Sequence, residues 1–128
     1  MSTVPRCVLV ADDDATNRLV AAESLRYLGA QVATAANGSD ALQVLAQRRV
    51  DLLLLDVHMP GMSGIEVAMR IREHERATGD PRLPIVALTA SATARDQQSC
   101  LAAGMDAVLT KPFRLEQLGT VLDTWCGR

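Results

Sequence analysis

Short apolar runs alternate along the chain with longer segments in which apolar residues recur every three or four positions. A continuous short apolar run is typical of a strand buried on both faces, and the longer spacing is typical of an amphipathic helix. We count five strand–helix units, the pattern of a parallel sheet covered by helices. The predicted strands are Cys7–Ala11, Gln31–Ala35, Leu52–Asp56, Ile85–Thr89 and Ala107–Thr110.

Helix start and stop signals occupy the segments between these strands. Gly29 ends the first helix, and Asn37-Gly38 precede the second. Ser63 and Glu66 have the spacing of a capping box, which predicts that the third helix begins there. The predicted buried faces hold Ala21, Leu25 and Leu28 in the first helix, Ala41, Leu42, Leu45 and Ala46 in the second, Val67, Ile71 and His74 in the third, and Leu115, Leu118, Leu122 and Trp125 in the last.

The order of these units predicts an α/β fold. We expect a flavodoxin-like, doubly wound (βα)5 domain with a parallel five-stranded sheet in the strand order 2-1-3-4-5. A length of 128 residues with 48% hydrophobic residues indicates one domain over 1–128, with a core of about 6–126. Only 2% of the residues are aromatic, so aliphatic side chains must fill the core. Nothing follows the fifth helix, and we expect no output domain in this chain.

Charge and cysteine content exclude several function classes. The formal net charge is −2 and no Lys/Arg cluster occurs, so this chain is not expected to bind nucleic acid. The apolar run Val8 to Ala11 is too short for a signal peptide or a membrane span, which predicts a cytoplasmic domain without membrane contact. Cys7, Cys100 and Cys126 lack metal-ligand spacing and are interpreted as reduced thiols.

Polar side chains follow four of the five predicted strands. Strand one ends in Asp12-Asp13, strand three in Asp56 and strand four in Thr89, while strand five leads into Lys111. In the order 2-1-3-4-5 these four strands are consecutive neighbours. Ligands of open α/β sheets bind outside the carboxyl ends of the strands, so we expect these side chains to converge at one site.

Three carboxylates in one crevice repel one another unless a cation lies among them. Oxygen ligands at a site open to water favour a hard cation, and we predict Mg²⁺. With part of the charge neutralised, Asp56 becomes a nucleophile toward phosphorus. The metal, the Thr89 hydroxyl and the Lys111 ammonium would then each bind one phosphoryl oxygen.

Each of these residues also has a simpler structural interpretation. Asp12, Asp13 and Asp14 are able to cap the first helix, and Asp14 is expected to do so. Thr89 alone is an ordinary strand residue, and Lys111 alone is an ordinary surface charge. Their joint placement at four strand ends favours the functional interpretation over independent structural ones.

These motifs resemble the receiver domains of two-component signal transduction. The resemblance covers nearly the whole chain, through the runs Val8–Asp13, Asp56-Val57-His58-Met59-Pro60-Gly61, Leu88-Thr89-Ala90 and Lys111-Pro112-Phe113. It is closest to receivers attached to hybrid sensor histidine kinases, because of the stretches Asn17-Arg18 and Ala103-Gly104-Met105-Asp106 and the terminal Leu118, Leu122 and Trp125.

The resemblance implies a role for each site residue. Asp56 would be the phosphoacceptor, and Asp12, Asp13 and Asp56 with the main-chain carbonyl of His58 would hold Mg²⁺. Thr89 and Lys111 would bind the phosphoryl oxygens, and the Lys111-Pro112 bond would be cis.

The resemblance also implies a partner. The donor would be a phosphohistidine on a sensor histidine kinase or a histidine phosphotransfer domain, docked around Ala15, Asn17, Arg18, Pro112 and Phe113. The domain would catalyse its own phosphoryl transfer and dephosphorylation, as a signalling domain rather than a turnover enzyme.

Two positions leave alternatives open. The switch position three residues before the lysine is usually aromatic in this family and is Val108 here, which keeps a phosphorylation-independent interaction module as the alternative function. His58 either contributes only its carbonyl or places an imidazole where it affects hydrolysis. A flavodoxin-like cofactor binder is a third interpretation, which Asp12 to Asp14 oppose because they would repel a phosphate in the absence of a metal.

Overall fold

The fold of residues 6–91 and 93–126 is described by a computed structural model. Along these residues five strands alternate with five helices. The strands have the predicted bounds. The elements are β1 (Cys7–Ala11), α1 (Ala15–Tyr27), β2 (Gln31–Ala35), α2 (Gly38–Gln47), β3 (Leu52–Asp56), α3 (Gly64–Thr78), β4 (Ile85–Thr89), α4 (Ala94–Ala102), β5 (Ala107–Thr110) and α5 (Leu115–Trp125).

The strands form one parallel sheet in the order β2-β1-β3-β4-β5, which confirms the predicted topology. The chain leaves β1 toward β2 on one side and resumes at β3 on the other, so the direction of winding reverses at β1. The register pairs Ala11 with Leu55 and Asp56 with Leu88. The carboxyl ends of β1, β3 and β4 therefore open onto one crevice at this reversal point.

Both faces of the sheet are covered, and alternate strand residues serve the two faces. Leu9, Leu53 and Leu55 pack in a cluster with residues of α2, α3 and α4. Val8 and Leu54 pack in a second cluster with residues of α1 and α5. All five positions of β1, β3 and β4 are buried. Burial on both faces explains why these strands are continuous apolar runs in the sequence.

Side-chain caps fix where four helices begin. Asp14, Asn37, Ser63 and Thr93 each accept a hydrogen bond from the backbone N–H three residues later. The predicted cap at Asp14 is confirmed. Only half of the predicted capping box is present at Ser63, because the Glu66 carboxylate bonds the guanidinium of Arg70 instead.

Three predicted core positions are wrong, and the first is Ala46 of α2, which is exposed. His74 is exposed, with its ring directed toward the Asp80 carboxylate at 3.7 Å, and the buried polar residue of α3 is Arg72. Leu115 is 41% exposed because it is the first residue of α5 and lies at the end of the helix, whereas Leu118 and Leu122 are buried as predicted.

Arg72 organises a buried ionic cluster near the start of β4. Its guanidinium donates to both carboxylate oxygens of Glu75, to Asp106 at 3.0 Å and to the Gly104 carbonyl at 2.8 Å. Gly104 has a left-handed backbone (φ 102°), and a Cβ there would lie 2.7 Å from the Cγ of Arg72. Asp106 and Glu75 also accept the backbone N–H groups of Ile85 and Leu83. The cluster therefore joins α3 to the loops before β4 and β5.

We expect Arg72→Met to lower the free energy of unfolding by about 3 to 5 kcal/mol, because it leaves the nearly buried Glu75 carboxylate without its cation and Asp106 with the exposed Arg82 alone. Arg70→Met is the matched control on the same helix. Arg70 forms an exposed pair with Glu66, so its loss should cost about 0.5 kcal/mol or less. Urea unfolding of the three proteins measures both effects, and equal losses in the two variants would contradict the assigned role of Arg72.

Candidate functional site

The strand ends bring the predicted site residues to one end of the sheet. Asp12 and Asp13 follow β1, Asp56 is the last residue of the central strand β3, and Lys111 follows β5. One carboxylate oxygen from each aspartate lies within 4.8 Å of the others. Asp12 and Asp56 are 1% and 5% exposed, whereas Asp13 is open to solvent. The three carboxylates thus form a cluster with one open side.

Lys111 is the cation of this cluster. Its Nζ lies 2.9 Å from Asp12 Oδ2 and 3.3 Å from Asp56 Oδ2. Burial alone would lower the pKa of Lys111, but the hydrogen bond to Asp12 and the charge of Asp56 outweigh burial and raise it. Lys111 is also the single lysine of the chain, since the remaining cationic side chains are arginines. Its ammonium is a compact point charge that contacts both carboxylates at once.

The negative charge of Asp56 is only partly compensated by its neighbours. Burial raises its pKa to about 6, and the Lys111 charge and the backbone N–H of His58 oppose the rise without cancelling it. The neighbouring Asp12 carboxylate adds to the rise. Lys111 lies closer to Asp12 than to Asp56, so its positive charge offsets the charge of the Asp56 carboxylate less completely.

The loop after β3 is packed tightly around Asp56. Gly64 donates its N–H to the Val57 carbonyl at 2.9 Å. A Cβ at Gly64 would collide with the Asp56 carbonyl oxygen and come within 2.9 Å of the Val57 Cα. The start of α3 is therefore held against the end of β3 by a glycine that no larger residue could replace without movement.

Thr89 lies on the neighbouring strand, one position beyond the residue paired with Asp56. It is 2% exposed, and its hydroxyl accepts the N–H of Ser91 at 3.1 Å. Its carbonyl accepts the backbone N–H of Lys111 at 2.7 Å, which ties the β5 end to the β4 end. Within the described residues no hydrogen bond joins the Thr89 side chain to Asp56 or Lys111.

Two residues beside Thr89 were missed by sequence reasoning. The Ser91 hydroxyl donates a short hydrogen bond to the Asp96 carboxylate in the first turn of α4, and this bond is the first cause of the lowered pKa of Asp96. Ser91 and Asp96 thereby connect Thr89 to α4. The only sequence signal was the Thr93-to-Asp96 spacing of a helix start.

His58 and Val108 are the two positions for which the sequence left alternative roles open. The His58 side chain is exposed, while its N–H bonds Asp56 Oδ1 at 3.1 Å. Val108 is half-buried and packs against the cluster on the α2–α4 face. The Lys111-Pro112 bond is cis, as the resemblance implied.

A family model describes the response regulator receiver domain, and it matches residues 8–123. The chain belongs to this family. The sensor histidine kinase RcsC of Salmonella typhi is 41% identical over 121 residues, which cover 94% of this chain but 12% of that protein. The receiver thus spans a small part of the length of such relatives. Its predicted likeness to receivers of hybrid sensor kinases is confirmed.

Solved receiver structures superpose closely on this one. The receiver domain of sensor histidine kinase PA1611 from Pseudomonas aeruginosa PAO1 has a TM-score of 0.86 and 34% identity, covering 98% of this chain and 100% of that chain. That structure holds a magnesium ion in its active-site cleft. The co-crystal structure of the Saccharomyces cerevisiae phosphotransfer protein Ypd1 with the receiver domain of Ssk1 gives a TM-score of 0.90 at 30% identity, over 98% of this chain and 91% of that chain.

In the part of the chain that the structure describes, no helix combines the length and the apolar composition needed to cross a bilayer.

The raised pKa of Asp56 makes this receiver less stable at neutral pH. Because the folded-state pKa of about 6 exceeds the ordinary value of 3.8 for an aspartate, stability is lost as the pH rises through this window. Asp56→Asn removes the charge, and we expect it to raise the free energy of unfolding at pH 7 by about 1 to 3 kcal/mol in EDTA. The gain should shrink toward about pH 4, where Asp56 is protonated in the folded wild type.

Urea unfolding at the two pH values measures this effect. Asp80→Asn is the control, because Asp80 is an exposed carboxylate whose ion-pair partner His74 lies 3.7 Å away. It should change the stability by about 0.5 kcal/mol or less at either pH. An Asp56→Asn protein no more stable than wild type at pH 7 would show that Asp56 carries no electrostatic cost.

Proposed function

We propose that this receiver domain accepts a phosphoryl group on Asp56 from a phosphohistidine donor, in a Mg²⁺-dependent reaction, and then changes its conformation or its partners. The observation that carries the proposal is the incompletely neutralised Asp56 carboxylate, buried beside Asp12 and bonded to Lys111. A buried carboxylate whose charge is incompletely neutralised destabilises the fold, so a structural role does not account for it.

The residues present fit a divalent cation. Asp12, Asp13 and Asp56 supply three carboxylates whose oxygens converge, and one Lys111 ammonium does not balance their charge. Asp13 is exposed and makes no hydrogen bond in residues 6–91 and 93–126, so its oxygens are available as ligands. With the His58 carbonyl, these groups would form the oxygen-only set that Mg²⁺ prefers. When bound, Mg²⁺ supplies charge neutralisation for the carboxylates and the phosphoryl oxygens.

In the reaction, an Asp56 carboxylate oxygen attacks the phosphorus atom of the donor. The O–P bond forms as the P–N bond of the phosphohistidine breaks, and the electron pair of that bond returns to the imidazole nitrogen. A pKa of about 6 leaves Asp56 ionised at pH 7, so the nucleophile is in the required form. The receiver contributes positioning and charge rather than covalent chemistry beyond the acyl phosphate.

Thr89 and Lys111 serve the phosphoryl oxygens. The Lys111 ammonium already contacts Asp56 Oδ2, so a phosphoryl group on this carboxylate lies within its reach. The Thr89 hydroxyl accepts one hydrogen bond from Ser91 and keeps its own proton for a phosphoryl oxygen. A shift of this hydroxyl would disturb Ser91 and, through it, Asp96 in α4. This path does not use Val108.

The partner is a histidine kinase or a histidine phosphotransfer domain, and the receiver is part of a larger hybrid kinase. The matches to RcsC and to the Ypd1 complex support both assignments. We place the donor against α1 and the loop after β5, around Ala15, Asn17, Arg18, Pro112 and Phe113, where Leu19 and Val20 are exposed apolar residues. A cytoplasmic location and a single domain over 1–128 complete the proposal; the buried free thiols of Cys7 and Cys100 support a reducing compartment.

The first test is the intact mass after incubation with Mg²⁺ and acetyl phosphate. Wild type should gain the mass of one phosphoryl group, because the small donor supplies the group and the site supplies positioning and charge. Asp56→Asn should gain none, and neither should wild type in EDTA. Asp123→Asn alters an exposed carboxylate of α5 and should gain the group like wild type.

A phosphoryl group acquired by Asp56→Asn would contradict the assigned acceptor, and one acquired by wild type in EDTA would contradict the Mg²⁺ dependence. If wild type binds Mg²⁺ yet gains nothing from acetyl phosphate or from a phosphorylated histidine phosphotransfer domain, the interaction module becomes the better function.

Lys111→Met should separate metal binding from phosphoryl transfer. Removal of the ammonium frees oxygens of Asp12 and Asp56, so Mg²⁺ should bind about fivefold to tenfold more tightly by calorimetry at pH 8. The phosphorylation rate at saturating Mg²⁺ should nevertheless fall, because a phosphoryl oxygen loses its cation. Arg95→Met is the control, since it removes an exposed charge in the first turn of α4. Weaker Mg²⁺ binding by Lys111→Met would contradict its role.

A further inference from the structure

Every polar atom of Asp12 has a hydrogen-bond partner in the structure. Its N–H donates to the Ala35 carbonyl at 3.1 Å, and its Oδ1 accepts the N–H of Asp14 at 2.9 Å. Lys111 bonds Oδ2 at 2.9 Å, and Nη1 of Arg18 donates to the carbonyl oxygen at 2.8 Å. Ala35 is the last residue of β2, Lys111 directly follows β5, and Asp14 belongs with Asp12 and Asp13 to the acidic loop between β1 and α1. Arg18 is the only one of the four partners that reaches Asp12 from a helix.

Asp13 lacks such support. It is exposed, and within the described residues no hydrogen bond holds its own N–H, carbonyl or carboxylate. Its position is set through the peptide group that joins it to Asp12. This group is planar, so a partner that fixes the Asp12 carbonyl oxygen also fixes the direction in which Asp13 leaves the strand. Together with the bond from the Asp14 N–H to Asp12 Oδ1, the bond from Arg18 therefore restricts where the Asp13 carboxylate can lie.

The reach of Arg18 follows from its place on α1. Helical side chains lean toward the amino end of their helix, and Arg18 lies in the first turns after the cap at Asp14. A long side chain at this position folds back over the loop to the end of β1. Arg18 is half-buried there, and α1 is in turn fixed by its buried residues Ala21 and Leu25. The acidic loop is thus braced against the core through one guanidinium.

We infer that Arg18 is a positioning residue for the cation site, holding the Asp12–Asp13 peptide so that Asp13 faces Asp12 and Asp56. The inference rests on the proposed Mg²⁺ function. A positive charge beside a cation site also repels the cation, so Arg18 has two opposite effects on affinity. Salt separates them, because about 0.5 M KCl screens the repulsion but leaves a hydrogen bond in place.

The test is Mg²⁺ titration by calorimetry in about 0.5 M KCl. Arg18→Met keeps most of the aliphatic stem and removes the donor, and we expect its Mg²⁺ affinity to fall about fivefold to tenfold. Arg18→Lys keeps a charged donor on a long stem and should recover part of the loss. Arg26→Met is the control on the same helix, because Arg26 bonds only the exposed Glu23 and should bind Mg²⁺ like wild type.

A kinetic measurement distinguishes positioning from general damage. With acetyl phosphate as the donor, which is too small to need the docking surface around Arg18, the Mg²⁺ concentration that gives half the maximal phosphorylation rate should rise in Arg18→Met, while the rate at saturating Mg²⁺ should stay near wild type. A fall in the saturated rate with unchanged Mg²⁺ dependence overturns the inference, as does an affinity equal to or tighter than wild type. Wild type that binds no Mg²⁺ would instead overturn the proposed function, so the two failures are distinguishable.

Discussion

The burial of two carboxylates side by side is the constraint on which the rest of this receiver depends. Asp12 and Asp56 are almost inaccessible to solvent, and a single ammonium lies between them. Two negative charges and one positive charge in a poorly solvated crevice leave a net repulsion. The aliphatic sheet must be stable enough to hold this arrangement, and burial of β1, β3 and β4 on both faces supplies that stability.

The two ends of the sheet treat their buried charges differently. Near the amino ends of β4 and β5, Arg72 faces Glu75 and Asp106, and Arg82 adds a second guanidinium on Asp106, so charges and hydrogen bonds are matched. At the carboxyl ends the acidic groups outnumber the cation. The first cluster fixes loops and α3 in one arrangement. The second is left unbalanced, and an added cation or phosphoryl group can change it.

Strand positions and the main site residues were predictable because each depends on local pattern. A strand buried on both faces must be apolar along its length, and a polar residue directly after it must lie at the sheet edge, as Asp12, Asp56 and Thr89 do. The burial of polar side chains on α3 was not predictable in this way. His74 has helical spacing suited to the core, yet Arg72 is buried because Glu75 and Asp106 happen to meet it in space. Such partners come from segments that are distant in sequence, so no local pattern predicts them.

The raised pKa of Asp56 and the proposed need for a cation have one physical cause. Burial raises the pKa of Asp56, and if Lys111 offset that effect completely, Asp56 would have an ordinary pKa and a divalent ion would gain little by binding. The charge that remains uncompensated in the folded protein is the charge available to attract Mg²⁺, so the same imbalance that lowers stability at neutral pH raises cation affinity. Rigid placement of Asp12, with the peptide toward Asp13 held by Arg18, keeps that imbalance from being relieved by movement of the loop. The site is therefore responsive because its surroundings are rigid.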